Sequence, residues 1–167
     1  IRRLRADDID YEIIPGVPAY TAVAAALGQE LTIPEIAQSI ILTRMSMKST
    51  SMPAGETLEN FAISGATLAI HLAIRNMREI ERVLIPHYGA NCPVVVAYRA
   101  SWPDQIIIRG TLSNIRKKVR DAKITRTALI LLGPALKEQQ DFVDSALYHP
   151  DMEHVLRNRK TSAPQEA

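Results

Sequence analysis

Pro93-Val94-Val95-Val96-Ala97-Tyr98, followed by Gln105-Ile106-Ile107-Ile108-Arg109, decides the fold class of this 167-residue chain. The first run is apolar without interruption, the pattern of a strand buried on both faces. The second is rich in β-branched residues and reads as a neighbouring strand. Between them lies Arg99-Ala100-Ser101-Trp102-Pro103-Asp104, an interval short enough for the two strands to form an antiparallel hairpin. Working outward, Ser39-Ile40-Ile41-Leu42-Thr43 is predicted as a buried strand. Thr67-Leu68-Ala69-Ile70-His71-Leu72 is a further strand, and Ala128-Leu129-Ile130-Leu131-Leu132 is the last, closed by Gly133-Pro134. Helical patterns fall between the strands. They cover residues 57–64, with Leu58, Phe61 and Ala62 on one face, residues 77–84, and residues 113–121. Strands alternating with helices, with one hairpin among them, predict an α/β fold: a mixed five-stranded sheet with flanking helices.

Upstream, residues 21–27 are an alanine-rich helix ended by Gly28, and alanine lets a backbone approach its neighbour closely. Asp10-Tyr11-Glu12-Ile13-Ile14 is a β-prone run stopped by the turn signal Pro15-Gly16. Ile1-Arg2-Arg3-Leu4-Arg5 reads as the end of an amphipathic helix, and the chain is therefore expected to be a fragment. Residues 44–55, rich in Met, Ser, Lys and Thr, read as a loop. After Pro134 the polarity rises and the strand pattern stops.

Twenty basic and eighteen acidic residues leave a net charge of +2, too balanced to argue for nucleic acid. The basic clusters at residues 2–5, 116–120 and 157–160 read as solvated faces. One Trp, five Tyr and two Phe, not interleaved with basic residues, argue against a nucleotide-stacking surface. No stretch approaches the ~18 apolar residues of a membrane-spanning helix. Cytoplasm is the expected compartment and no membrane partner is expected. Cys92, the lone cysteine, is expected to be a buried, inert thiol. His71, His87, His149 and His154 form no helical or strand pair of ligands, and Asp151-Met152-Glu153-His154 is only a loose cluster, so no metal is expected. The seven glycines make no phosphate-binding fingerprint. That leaves the turns at strand ends, where open α/β sheets place ligands: residues 15–19, residues 43–53, His71-Leu72-Ala73 and residues 98–103.

These same segments resemble motifs of the tetrapyrrole (precorrin) methyltransferases. Pro15-Gly16-Val17-Pro18-Ala19 is similar to the family's P-G-[IV]-[TP]-A turn. Leu42-Thr43-Arg44 through Met52-Pro53 resembles its Thr-Arg loop, and residues 67–72 its T-L-V-x-Y-M strand. Arg109-Gly110-Thr111-Leu112 resembles its x-G-T-L turn, and residues 128–133 its final strand. Each motif is short; five in order, at matching intervals, carry the resemblance over residues 10–155. Within the family, four stretches resemble the precorrin-4 C-11 branch: residues 65–72, Tyr88-Gly89-Ala90-Asn91-Cys92-Pro93, Tyr98-Arg99-Ala100-Ser101-Trp102-Pro103, and Asp144-Ser145-Ala146-Leu147-Tyr148.

The resemblance implies an S-adenosylmethionine (SAM)-dependent C-methylation in cobalamin biosynthesis, yielding S-adenosylhomocysteine (SAH), with a tetrapyrrole substrate and a homodimeric assembly. It implies cofactor contacts at Pro18, Ala19, Leu72 and Ala100, with Thr111 as a second-tier contact near the adenine. Related members carry Thr, Met and Gly where this chain has Pro18, Leu72 and Ala100, so the implied contacts rest on backbone and shape. Arg44 is the implied grip on substrate carboxylates, and His71 is a candidate base. The family's G-x-G-P-G-D opening and G-D-P loop do not occur in this chain. Residues 1–37 are accordingly expected to be the end of an N-terminal α/β domain and its linker, 38–136 the C-terminal mixed α/β domain, and 137–167 an extension. The chain alone is expected to be inactive. Beside this reading stand a sibling methyltransferase acting at another ring carbon, a non-catalytic SAM- or tetrapyrrole-binding scaffold, and a module for protein association.

Overall fold

The computed structural model describes residues 1–45 and 51–138. Five strands form one mixed sheet: β1 (Ile40–Arg44), β2 (Thr67–His71), β3 (Pro93–Tyr98), β4 (Ile106–Thr111) and β5 (Ala128–Leu132), in the spatial order β1-β2-β5-β3-β4. β1 and β2 run parallel, and every other neighbouring pair is antiparallel. The β3–β4 hairpin has the expected register, Tyr98 opposite Ile106 and Pro93 opposite Thr111.

Strand alternation divides the apolar residues into two layers. Leu68, Ile70, Val94, Val96, Ile130 and Leu132 face three helices: α3 (Leu58–Ala62), α4 (Met77–Tyr88) and α5 (Ile115–Asp121). Ala69, Val95, Ala97, Leu129 and Leu131 face the other way, toward Val23 of α2 (Ala19–Leu27), Leu31 and Leu136. Ala69 and Ala97 on the sheet share this apolar layer with Val23 and Ala24 of the alanine-rich helix. Gly28 ends α2 in the left-handed conformation, φ 60°, where glycine carries no Cβ penalty. Thr57 caps α3 by accepting a hydrogen bond from the Asn60 backbone N–H, satisfying one of its free donors.

Several expectations need correction. Residues 10–14 form no strand, and residues 9–17 are exposed throughout. A β-prone run needs a ladder partner, and the sheet pairs only the five strands above. β1 is not buried but an edge strand: Thr43 is buried while Leu42 is 52% exposed. Apolar content alone does not distinguish an edge from a centre. α4 continues through Pro86 to Tyr88. A proline inside a helix costs one hydrogen bond, but Tyr88 anchors the last turn by donating its hydroxyl to the Ala66 carbonyl, 2.6 Å. Residues 2–6 form a short helix, α1 (Arg2–Ala6), with no buried residue. The tail motif at residues 144–148, His149, His154, the basic cluster at 157–160 and most of the 137–167 extension lie outside the described residues, as do residues 46–50 of the Arg44 loop.

Candidate functional site

The strand directions bring the carboxyl ends of β1, β2 and β3 to the same end of the sheet, together with the starts of β4 and β5. A cleft of about 700 Å³ opens there, between the first turn of α2 and the strand ends. Small-molecule sites occupy roughly 300–1,000 Å³. Ala19 and Ala22 of α2, Arg44 and Met45, His71 and Leu72, Arg99 to Trp102, and residues 125–129 line it.

The backbone at this cleft is unusual. Leu72, Arg99, Ser101 and Thr127 have positive φ, 56°, 47°, 70° and 52°. Each non-glycine residue held there costs about 1–2 kcal/mol, and such strain concentrates where a site must be held in one shape. The conformations are fixed by specific bonds. Arg99 N–H donates to the Thr127 carbonyl, 3.0 Å, and Trp102 N–H to the Arg99 carbonyl, 3.0 Å. Ser101 N–H donates to Gln105 Oε1, 2.7 Å. Arg75 Nε donates to the Thr125 carbonyl, 3.0 Å, tying the turn after β2 to the turn before β5. Leu72, in its left-handed conformation, is 74% exposed, an aliphatic side chain turned out at a strand end.

Arg44, Arg75, Arg99 and Arg126 line the cleft, and none of the described lining residues is acidic. Arg99 is paired with Asp104; Arg44 and Arg126 make no ion pair among the described residues. The surface is thus apolar at its base, with small alanine side chains, and cationic around its margin.

Of the residues expected at a site, Ala19, Leu72, Ala100, Arg44 and His71 all come to this one cleft. Pro18 is the residue immediately before α2, between lining residues Val17 and Ala19. Thr111 is not brought there. It pairs with Pro93 at the far end of the hairpin, five residues along the strand from the cleft end, roughly 17 Å away. There its backbone N–H donates to Asn114 Oδ1, 3.0 Å. An antiparallel return carries the end of β4 to the start of β3, which the motif alone did not reveal. Sequence reasoning also missed Arg75 and residues 125–127. They precede or follow strands whose ends meet only through the strand order β2-β5-β3, and no local signal marks them.

Shifted ionisations lie away from the cleft. Burial pushes the Cys92 thiol up to about 11, and burial, with Cys92 nearby, raises Tyr88 to about 12. Cys92 is 7% exposed; the expected inert thiol is what the structure contains. Among the described residues no group of His, Cys, Asp and Glu could hold a metal, and no helix there is long and apolar enough to cross a membrane.

A mixed sheet in this order, with a cleft at its strand ends, defines an α/β ligand-binding fold, and the family follows from comparison. The family model of tetrapyrrole (corrin/porphyrin) methylases matches residues 1–116, and the chain belongs to that family. It is 50% identical over 159 residues to a precorrin-4 C(11)-methyltransferase of Sinorhizobium sp, covering 95% of this chain and 62% of that protein. It is 52% identical over 157 residues to the precorrin-4 C(11)-methyltransferase of Pseudomonas aeruginosa, covering 94% and 62%. The X-ray structure of a cobalamin biosynthetic enzyme, cobalt precorrin-4 methyltransferase, superposes with a TM-score of 0.77 at 36% identity, over 82% of this chain and 57% of that one. The chain therefore spans about 62% of the length of the curated relatives it matches.

Proposed function

We propose that the protein to which this chain belongs methylates precorrin-4, or cobalt-precorrin-4, at C-11, using SAM, in cobalamin biosynthesis. The observation that carries the reading is the convergence of Ala19, Leu72 and Ala100, three separate motif residues, on one cleft with a cationic margin. The two relatives at about half identity bear that name over nearly all of this chain. In this reading residues 1–37 complete an N-terminal domain, 38–136 form the C-terminal domain and 137–167 extend it. The protein acts as a cytoplasmic homodimer. Ile14 and Val17, each 78% exposed, support the presence of further protein surface against residues 9–17.

The residues fit the cofactor. Ala19, Ala22, Ala97 and Ala100 leave room at the base of the cleft, and exposed Leu72 and Val17 offer apolar area to an adenosyl group. Bound there, SAM would supply a methyl group activated on a sulfonium. The protein's part is orientation and exclusion of water. Left-handed Leu72 and Ala100, between left-handed Arg99 and Ser101, form a wall of the cleft. Arg44 holds a substrate carboxylate through its fork of donors. His71 stands next to Leu72, within the cleft, where it could accept the proton released from the methylated ring carbon. In this reading the remainder of the cofactor site comes from the part of the protein that this chain does not span.

The test uses the whole natural protein: SAH binding by calorimetry, methyl transfer to precorrin-4, and NMR assignment of the methylated carbon. A product methylated at another carbon replaces this reading with a sibling activity, and SAH binding without turnover replaces it with a scaffold. Arg44→Ala should raise the tetrapyrrole KM on the order of tenfold, with little change in the KM for SAM.

A further inference from the structure

We propose that Trp102 is a stacking platform for the tetrapyrrole, a ring on which a flat conjugated part of the polycarboxylated macrocycle rests while Arg99 holds it in place. Trp102 is the chain's only tryptophan. It lines the cleft and is 57% exposed. Tryptophan is highly buried on average, and a large aromatic left open inside a concave site has apolar area for a ligand.

The ring is not loose. The Arg99 guanidinium lies 5.1 Å from the centroid of Trp102 and 5.1 Å from that of Tyr98, within the range of a cation–π contact. Asp104 pairs with the same guanidinium, and the backbone bonds from Arg99 to Thr127 and from Trp102 to Arg99 fix the loop beneath. Two left-handed residues, Arg99 and Ser101, precede the ring, so the chain holds a costly backbone shape to present it.

Charge selects the occupant. Arg44, Arg75 and Arg126 share the cleft with Trp102, and no acidic side chain lines it among the described residues. A polyanionic ring gains from every one of these cations. The polycarboxylated ring is the ligand whose charge these arginines complement, and the platform is assigned to it on that ground. This rests on the proposed substrate class, and the test separates the two.

Uroporphyrin, a stable polycarboxylated tetrapyrrole, and SAH are titrated separately into the whole protein, wild type and variants. Trp102→Ala should weaken uroporphyrin on the order of tenfold, and Trp102→Phe by about threefold or less, because a ring is kept. Arg99→Lys, which keeps the charge and loses the planar stack, should fall between them. SAH affinity should stay within about twofold of wild type in both Trp102 variants, a split that a merely structural role would not produce. Unchanged uroporphyrin binding by Trp102→Ala overturns the proposal. So does a parallel loss of both ligands, which makes the ring structural, or a loss of SAH alone, which gives it to the cofactor. A wild type that binds uroporphyrin but not SAH removes the methyltransferase reading, while the uroporphyrin series still decides the platform. A wild type that binds neither overturns both.

Discussion

The two ends of the sheet are built on opposite terms. At the far end, where β2, β3 and the end of β5 meet, polar groups are sealed against one another. Thr67, fully buried, donates its hydroxyl to the Leu31 carbonyl at 2.7 Å. Leu112 N–H reaches the Cys92 carbonyl at 3.0 Å, and Gly133 packs so closely that a Cβ there would sit 3.0 Å from Thr67 Cα. At the cleft end, left-handed Leu72, Arg99, Ser101 and Thr127 face open space. Close packing stabilises the first end. The second holds strain and exposed apolar surface, which are useful only when a ligand covers them.

The sharpest way to break this contrast is Gly133→Val. With φ 150° and backbone 3.0 Å from the new Cβ, it should cost about 3 kcal/mol or more in denaturant unfolding. A loss under 1 kcal/mol would mean that the sealed end yields easily. The next effect is in pH. Folding raises the Cys92 thiol from its ordinary 9.0 to about 11 by burial, so the unfolded chain ionises first. Stability is intact below about pH 9 and declines as pH rises to about 11, on the order of 2 kcal/mol from this group. Cys92→Ala should flatten that decline, leaving the share due to Tyr88; an unchanged slope would assign it elsewhere. Leu72→Gly should have the smallest effect on stability, under about 1 kcal/mol, because relief of the left-handed strain offsets the added freedom of the unfolded chain. It should nonetheless weaken SAH binding, by removing exposed apolar contact. A large destabilisation with unchanged binding would reverse the roles of the two ends.

How much was legible in advance depends on how local each feature is. Pro93–Tyr98 and Ala128–Leu132 have the bounds that their apolar runs define, because burial on both faces leaves an uninterrupted pattern. The hairpin was legible from six intervening residues. Residues 10–14 were misread because β propensity needs a partner to act on. Thr43-Arg44 and His71-Leu72 were legible as strand ends, yet nothing in them stated that residues 125–127 would share their cleft.

The sequence by itself determined the five strands, the helices between them, the mixed character of the sheet and the motif positions at strand ends, since periodicity and turn chemistry act over a few residues. Only the tertiary structure decided the order β1-β2-β5-β3-β4. That order brings Arg75, Arg126 and Trp102 to the same cleft as Ala19 and Leu72 and carries Thr111 to the other end. Which strand lies beside which is fixed by how two buried faces are covered at once, a property of the whole core that no short stretch contains.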